Sequence, residues 1–501
     1  MSLSTLITNF VTQAIRMGWL DPLDEIYTRN QLLSLVGASD YDETVIPSEP
    51  LPELLTSMDQ LRYYAQTNGI IGREHYQVEQ FEAAVMDLIV PAPSAVNRLF
   101  WEKYQTAPKA ATDYYYQLQR VSDYIKTRQV AKNIAFKYKD ATYGELEITI
   151  NLSKPEKTQA EIKAASQAKT TNYPKCALCL ENEGYSGRID HPARQNHRLI
   201  RLHLGDQAFA MQYSPYVYYN EHSIFLNEQH VPMRIDRTTF EHLFEIIDLF
   251  PHYFVGSNAD LPGVGGSILS HDHYQGGRHT FPMERAEITR PVTFTGYEDV
   301  KVGYVNWPMT TLRLRGHDKE RLITLADTIL QTWHHYSDAA VDVLAETTAP
   351  HNTITPIARM HNDEYELDLV LRNNRTTEDL PGGIFHPHPE VQNIKQENIG
   401  LIEVMGLAIL PPRLVPELES VKHYLLGEIP LQEVSAIHQD WAEKIQGAFT
   451  EDMDVDRFIQ EQLGQTFVRI LSDAGVFKQN KAGNQAKDRF VNAVNQTLKK
   501  A

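Results

Sequence analysis

An α+β fold with helical ends is predicted for this 501-residue chain by three observations. Residues 1 to about 130 carry apolar side chains at helical spacing. From Ile134 onward, short apolar or alternating runs are punctuated by Gly, Asp and Asn, the pattern of strands. From about Val415 to the Lys-rich end, helical spacing returns. The length suits two to four domains, or one large duplicated one. The strand-rich middle falls into two halves, which fits a diverged duplication without proving it; no short repeat period is present. The expected organisation is a helical N-terminal extension (1–130), a first strand-rich half (131–285), a second (286–415) and a helical C-terminal region (416–501).

Taken in order, Leu3, Leu6, Ile7, Phe10, Val11 and Ala14 share one helical face. More helix is expected from about Glu79 to Thr127, broken near Pro91 and Pro93, because proline lacks the N–H a helix needs. Ile134–Tyr138 and Leu146–Leu152 read as a hairpin turning through Asp140 and Gly144. A polar, Lys- and Ala-rich segment, Lys154 to Thr170, leads to two cysteines. Strands are expected around Ala208–Tyr213 and Ser223–Leu226. A helix follows from about Thr238 to Phe250, with Phe240, Leu243, Phe244 and Ile247 on one face. A Gly-rich run and a His-bearing strand close this half. The second half has strands near Tyr304–Leu314, Thr353–Ala358 and Tyr365–Leu371, and a helix at about Lys319–Tyr336.

Composition bounds the function. The 42% apolar and 10% aromatic content is ordinary for a folded protein. Forty-seven basic against 65 acidic residues give a formal charge of −18, the wrong sign for a general nucleic-acid binder. A small phosphorylated substrate is not excluded, since a few local cations suffice. Two cysteines, Cys176 and Cys179, cannot form a disulfide scaffold for so long a chain, and their spacing points to a reducing compartment. Met1 to Trp19 lacks the basic start and unbroken apolar core of a signal peptide. The longest apolar stretch, near Gly400–Leu410, is short and contains Glu403, so no transmembrane helix is expected. A cytoplasmic chain is the expectation.

The chemistry concentrates in His271-Asp272-His273-Tyr274-Gln275, just after Gly263-Val264-Gly265-Gly266-Ser267. In a strand, alternate side chains share a face, so both imidazoles and the amide are expected to point one way. Glycines let backbone N–H groups approach a phosphate. An isolated His-x-His is commonly an ordinary polar pair; the matching parity of Gln275, the upstream glycines and the earlier Cys-x-x-Cys argue for more. One imidazole can attack phosphorus, and an amide can steady the charged oxygens. Nucleotidyl transfer in two displacements, through a nucleotidyl-histidine, is the chemistry this array suits. The second nitrogen of His273 is expected to donate to a carbonyl or carboxylate, which fixes the tautomer. Cys176-x-x-Cys179 is half of a zinc site, with His230 and His271 as candidates to complete it; two buried thiols or a redox pair are the alternatives.

These residues resemble the histidine-triad superfamily and, within it, the galactose-1-phosphate uridylyltransferase family, whose best-known form carries Gly-x-Ser-x-x-His-Pro-His-Gly-Gln. The Cys-x-x-Cys and the strand ending in His, Ile224 to His230, match as well. The helical N-terminal extension and Asp272 in place of Pro are similar to the class found in Gram-positive bacteria. The resemblance implies a duplicated histidine-triad-like antiparallel sheet core and UMP transfer from UDP-glucose to galactose 1-phosphate in galactose metabolism. It implies that His273 is uridylylated, that Gln275 contacts the transferred phosphoryl group, and that Cys176, Cys179, His230 and His271 hold a structural zinc. Asn258 and Ser267, with Gly266 beside it, fall near the family's nucleotide and phosphate contacts; Arg278 and His279 are candidate phosphate contacts by their position just past the histidine strand. The stretch from Tyr143-Gly144-Glu145 to Lys154-Pro155 is similar to a uridine-holding segment, and a homodimer is implied. The family's second half binds a metal through His-x-His; here His386-Pro387-His388 is one match, and Asp368 with Val370 fits the topology equally, in which case that second metal site is gone.

Other features are weighed alongside. Arg188, Arg194, Arg198 and Arg201 either clamp phosphates or form a solvated basic face. Tyr213, Tyr216, Tyr218 and Tyr219 either stack a base or pack a sheet. Two alternative functions remain open on the sequence alone: a dinucleoside polyphosphate phosphorylase, which shares His-x-His-x-Gln, and a non-enzymatic zinc-stabilised nucleotide-binding protein.

Overall fold

The computed structural model of the protein describes residues 1–153, 171–266 and 268–500. Lys154–Thr170 and Ser267 therefore lie outside the described residues. The N-terminal region is helical: α1 (Leu3–Arg16), α2 (Glu25–Leu35), α3 (Leu54–Thr67), α4 (His75–Asp87), α5 (Pro93–Tyr104), α6 (Pro108–Val121) and the single turn α7 (Thr127–Val130). The helix expected over 79–127 is three helices, because Pro93 and Pro108 each open a new one at its first turn, where the missing N–H costs nothing. Helices α1–α4 enclose their own core, with Ile7, Phe10, Met58, Leu61 and Met86 buried. Helices α5 and α6 instead insert Val96, Phe100, Ala111, Tyr115 and Leu118 into the core of the main sheet.

A hairpin of β1 (Ile134–Asp140) and β2 (Gly144–Ile150) follows, in the register Asp140 opposite Gly144. Asp140 Oδ1 accepts from the Thr142 N–H at 2.8 Å and starts the turn. The main sheet takes β3 (Ile200–Leu204), β4 (Gln207–Tyr213), β5 (Ser223–Asn227), β6 (Phe254–Gly256), β7 (His273–Gly277), β8 (Ile288–Val292), β9 (Lys301–Val305), β10 (Thr311–Gly316), β11 (Asn352–His361) and β12 (Glu364–Asn373). What reads in sequence as one strand over 304–314 is the hairpin β9–β10, broken by Asn306-Trp307-Pro308. Helix α8 (Arg237–Leu249) lies between β5 and β6, the turn α9 (Pro282–Arg285) between β7 and β8, and α10 (Lys319–His334) between β10 and β11. Asp236 caps α8, accepting from the Thr238 N–H at 3.0 Å. The helix buries Phe240, Leu243, Phe244 and Ile247, each contributing about 1.5–3 kcal/mol by leaving water.

The strand order is β3-β4-β5-β7-β6-β11-β12-β10-β9-β8, with neighbouring strands antiparallel. Read from its two edges inward, this order is the same unit twice. Three strands, a helix and two strands occur in each half, and the halves meet where β6 pairs with β11. The diverged duplication is thus explicit in the topology, and β12 is the counterpart of the His-bearing β7.

One face of this sheet packs on α8, α10 and α15 (Lys481–Leu498), with α5 and α6 over the first half. The other face is covered by β1–β2, by 391–410 and by the C-terminal helices α12 (Leu414–Leu425), α13 (Gln439–Gln446) and α14 (Val455–Ala474). The apolar stretch near 400–410 is the turn α11 (Leu401–Val404) and β13 (Leu407–Leu410), which joins β2 in parallel. Among the described residues, no helix is long and apolar enough to cross a membrane.

Candidate active site

Strand β7 begins at His273, not at His271. The expectation that both imidazoles and Gln275 point one way is corrected accordingly: His271 sits in the turn before the strand, and its ring leaves toward the cysteines. The Nδ1 of His271 is 3.2 Å from Cys176 Sγ and 3.9 Å from Cys179 Sγ. The Nδ1 of His230 is 3.2 Å from Cys179 Sγ and 3.7 Å from Cys176 Sγ, and the two sulfurs are 3.5 Å apart.

The donor set of Cys176, Cys179, His230 and His271, all within 4.8 Å of one another, can be tested against a metal. A tetrahedron with metal–sulfur distances of about 2.3 Å and metal–nitrogen distances of about 2.0–2.1 Å has edges of about 3.3–3.8 Å. The observed spacings bracket those edges, so the group fits an ion of zinc's size and preference. The Nε2–H of His271 donates to the Asn227 carbonyl at 2.7 Å, which leaves Nδ1 unprotonated toward the sulfurs. Burial pushes the Cys176 thiol up to about 11; a cation among the ligands is what would hold it as thiolate at neutral pH. Among the described residues no second such group forms. His386 bonds Asn398 at 3.1 Å, and His388 bonds the Ile384 carbonyl at 3.0 Å.

His273 is 4% exposed. Its Nδ1 lies 2.8 Å from the His271 carbonyl oxygen. A carbonyl only accepts, so Nδ1 carries the proton and Nε2 keeps its lone pair. Burial pushes this imidazole down to about 4, which keeps it neutral, as a nucleophile must be. His273 and Gln275 line a cavity of about 330 Å³ together with Asn258, Gly265, Lys395 and Gly400–Glu403. Gly265, at φ +95°, allows the loop to close on the opposite wall, since a Cβ there would stand 2.2 Å from the Ile399 carbonyl. Asn258 Oδ1 accepts from the Leu401 N–H at 2.9 Å and ties the same two segments together.

Lys395 and His222 go unsuspected in the sequence. Lys395, buried and 2.6 Å from Glu403, is the one Lys or Arg among the described lining residues. His222 donates from Nε2 to Gln275 Oε1 at 3.0 Å. Among the expected contacts, Arg278 turns away: it pairs with buried Glu221 and with Asp113 at 3.3 Å and does not line the cavity. Gly266 packs against the Ala259 carbonyl rather than lining the cavity, and Tyr143–Glu145 line neither this cavity nor the next.

A second cavity of about 410 Å³ shares Leu178, Tyr218, Ile224 and Ile268 with the first. Tyr76 of α4, Tyr124, Tyr216, Arg188 and Arg194 line it. The arginine group therefore divides. Arg198 is buried on Asp87 and the Pro91 carbonyl, and Arg201 pairs with Glu183, while Arg188 and Arg194 face this space. The tyrosines divide too: Tyr213 and Tyr219 are core, whereas Tyr216 and Tyr218 line cavities.

Registered pairing carries the Gln275 row across the sheet, from Gln275 to Gly256, Ile357, Asp368 and Arg313. On the same face of the second half, buried Asp368 bonds Arg313 at 2.6 and 2.8 Å and also reaches Arg359. Glu366 pairs with Arg359 and Arg315. Where the first half has His and Gln, the second has a closed array of ion pairs.

Two models of the galactose-1-phosphate uridyl transferase family match the chain, the N-terminal domain over residues 19–232 and the C-terminal domain over 245–443. Galactose-1-phosphate uridylyltransferases 1 and 2 of Streptococcus pneumoniae serotype 4 are 51% and 52% identical over 495 residues, covering 98% of this chain and 99% of each relative. The Streptococcus thermophilus galactose-1-phosphate uridylyltransferase is 51% identical over 493 residues with the same coverage. Among solved structures, a yeast Ap4A phosphorylase aligns over 61% of this chain and 90% of its own, at 13% identity and a TM-score of 0.30; a likeness at that level carries no weight for function.

Proposed function

This chain belongs to the galactose-1-phosphate uridylyltransferase family, and from that membership we infer its reaction: transfer of UMP from UDP-glucose to galactose 1-phosphate. It is a nucleotidyltransferase of galactose metabolism.

We assign the chemistry as two displacements at the α-phosphorus. His273 Nε2 attacks, the bond to glucose 1-phosphate breaks, and a uridylyl-imidazolium remains, its Nδ1–H held by the His271 carbonyl. A galactose 1-phosphate oxygen then attacks the same phosphorus, the P–N bond breaks, and UDP-galactose leaves with His273 neutral again. The observation that carries this assignment is the 2.8 Å contact from His273 Nδ1 to the His271 carbonyl, which leaves Nε2 unprotonated at the cavity. The Gln275 amide and the Lys395 ammonium are suited to the charge gathering on the phosphoryl oxygens. The tyrosine- and arginine-lined second cavity suits the nucleoside and the distal phosphate. Asn258 enters as part of the wall, with Gly266 packed behind it on the Ala259 carbonyl.

Zinc is the metal that the Cys2His2 set supports, held by Cys176, Cys179, His230 and His271. Four protein ligands leave no open position, so its contribution would be structural. A cytoplasmic homodimer belongs to the same proposal, supported by the family resemblance for the dimer and by the two unpaired thiols for the compartment.

Intact mass after mixing with UDP-glucose, quenched at alkaline pH, tests the assignment. One added uridylyl group is expected, lost on adding galactose 1-phosphate and absent from His273→Ala. An adduct that survives in His273→Ala, or one formed only from an adenine dinucleotide, overturns it.

A further inference from the structure

Gln275 presents one face of its amide to His222 and the other to the cavity, and which end faces which decides what it can do to a phosphate. An amide oxygen turned toward the cavity would repel the phosphoryl oxygens; an NH2 turned that way would bind them. Nothing in the residue itself chooses, since the two ends have nearly the same shape.

His222 makes the choice. Its Nε2 is 3.0 Å from Gln275 Oε1, while its Nδ1 is buried with no partner. A neutral imidazole carries one proton, and an unpaired buried N–H is the costlier orphan. The proton therefore sits on Nε2 and requires an acceptor, which is the amide oxygen. Burial pushes this imidazole down to about 4, so a single N–H is present at working pH. The NH2 of Gln275 has no protein partner among the described residues and is left for the cavity.

The imidazole is itself held firmly. It is 3% exposed, with the rings of Tyr219 and Tyr218 centred 4.5 and 5.6 Å away. Its carbonyl accepts from the Ser214 N–H at 2.8 Å. Glu221, just before it, is in the left-handed region at φ +54°, a conformation that costs a non-glycine residue about 1–2 kcal/mol. That kink is offset by contacts of the Glu221 carboxylate with Arg278 and with the Tyr253 hydroxyl at 2.6 Å. Gly277 lies against the Glu221 carbonyl, where a Cβ would approach to 2.4 Å. The Arg278–Glu221 pair thus belongs to a brace behind His222.

We propose that His222 is a positioning residue for uridylyl transfer: it locks the Gln275 amide with its NH2 toward the transferred phosphoryl group. The inference rests on the role of Gln275 in the proposed reaction.

The test is a double-mutant cycle read in the first half-reaction, the release of glucose 1-phosphate from UDP-glucose, with kcat and KM separated. His222→Phe keeps a ring and removes the donor. It is expected to lower kcat about 10- to 100-fold, as a misoriented group does, with KM within about threefold. In a Gln275→Ala background the same change should cost less than about twofold, because residues that act through one another are not additive. His222→Gln, whose NH2 reaches the Nε2 position, should restore most of kcat. If Gln275→Ala is impaired while His222→Phe matches wild type, or if the two losses multiply, the role of His222 is overturned and that of Gln275 stands. A fully active Gln275→Ala overturns both. Should His222→Phe fail to fold, His222→Gln decides: kcat near wild type upholds the proposal, and kcat as low as in Gln275→Ala overturns it.

Discussion

The His273 Nδ1–H donates to the carbonyl oxygen of His271 at 2.8 Å, so one residue serves two sites. The ring of His271 joins the Cys/His cluster, and its main chain sets the tautomer of the proposed nucleophile two residues on. A shift of the His271 backbone would move both.

Metal removal should therefore lower chemistry as well as stability. Stripping the metal with a chelator, or Cys176→Ser, is expected to slow uridylylation about 10- to 100-fold, the range seen when a metal centre loses its supporting contacts. Metal content and the half-reaction rate, measured on the same samples, should fall together. Full activity in metal-free protein would show that the carbonyl holds its place unaided.

Tyr216→Ala should raise KM for UDP-glucose about tenfold, or ~1.4 kcal/mol, if the second cavity stacks the base. KM for galactose 1-phosphate, which carries no base, should change little. Equal effects on both substrates would place the base elsewhere.

Arg313→Met should destabilise the fold by about 3–5 kcal/mol, because it leaves the buried Asp368 carboxylate short of a partner. Chemical denaturation measures this, and a loss under about 1 kcal/mol would refute it. Burial alone would raise the Asp368 carboxyl, but Arg313 and Arg359 outweigh burial and hold it at about 2. Its folded value is thus below its unfolded one, so the stability it contributes is complete above about pH 4 and lost as pH falls toward 2. Asp368→Asn should flatten that part of the acid limb.

Gly277→Ala should cost more than Gly296→Ala. Both have positive φ, +149° and +80°, but a Cβ at 277 meets the Glu221 carbonyl at 2.4 Å while one at 296 meets open space. About 1 kcal/mol is expected at 296. At 277 a larger loss and a reduced kcat are expected, since the β5–β7 pairing must shift. Thermal melting and half-reaction rates of the two variants decide it.

The parts of the site that lie close together along the chain are legible in sequence. His271, His273 and Gln275 declare themselves by parity, and the cysteines by spacing. Even there, the strand begins two residues later than periodicity suggests, because the metal-side histidine belongs to the turn. His222, Lys395 and Tyr76 carry no local signal; only strand pairing and helix packing bring them to the cavity. The duplicated fold is visible as two strand-rich halves, but not the short strands β3, β6 and β8, nor the parallel addition of β13 to β2, which depend on partners far away in sequence. Arg278 reads in sequence as a substrate contact because it adjoins the motif; a buried carboxylate from a neighbouring segment claims it.

The wall that closes the cavity at His273, Lys395 to Glu403, follows that histidine by about 130 residues. At roughly 5–20 residues per second, a ribosome adds that wall on the order of ten seconds after the histidine. Strand β2 waits longer still for β13, with its edge unpaired in the meantime. A nascent chain ending near residue 390 thus presents a reactive strand with one side open and an apolar sheet face without its cover. Fragments of that length should behave as sticky intermediates that depend on chaperones, and dividing the gene between its two repeats should yield no half-active enzyme.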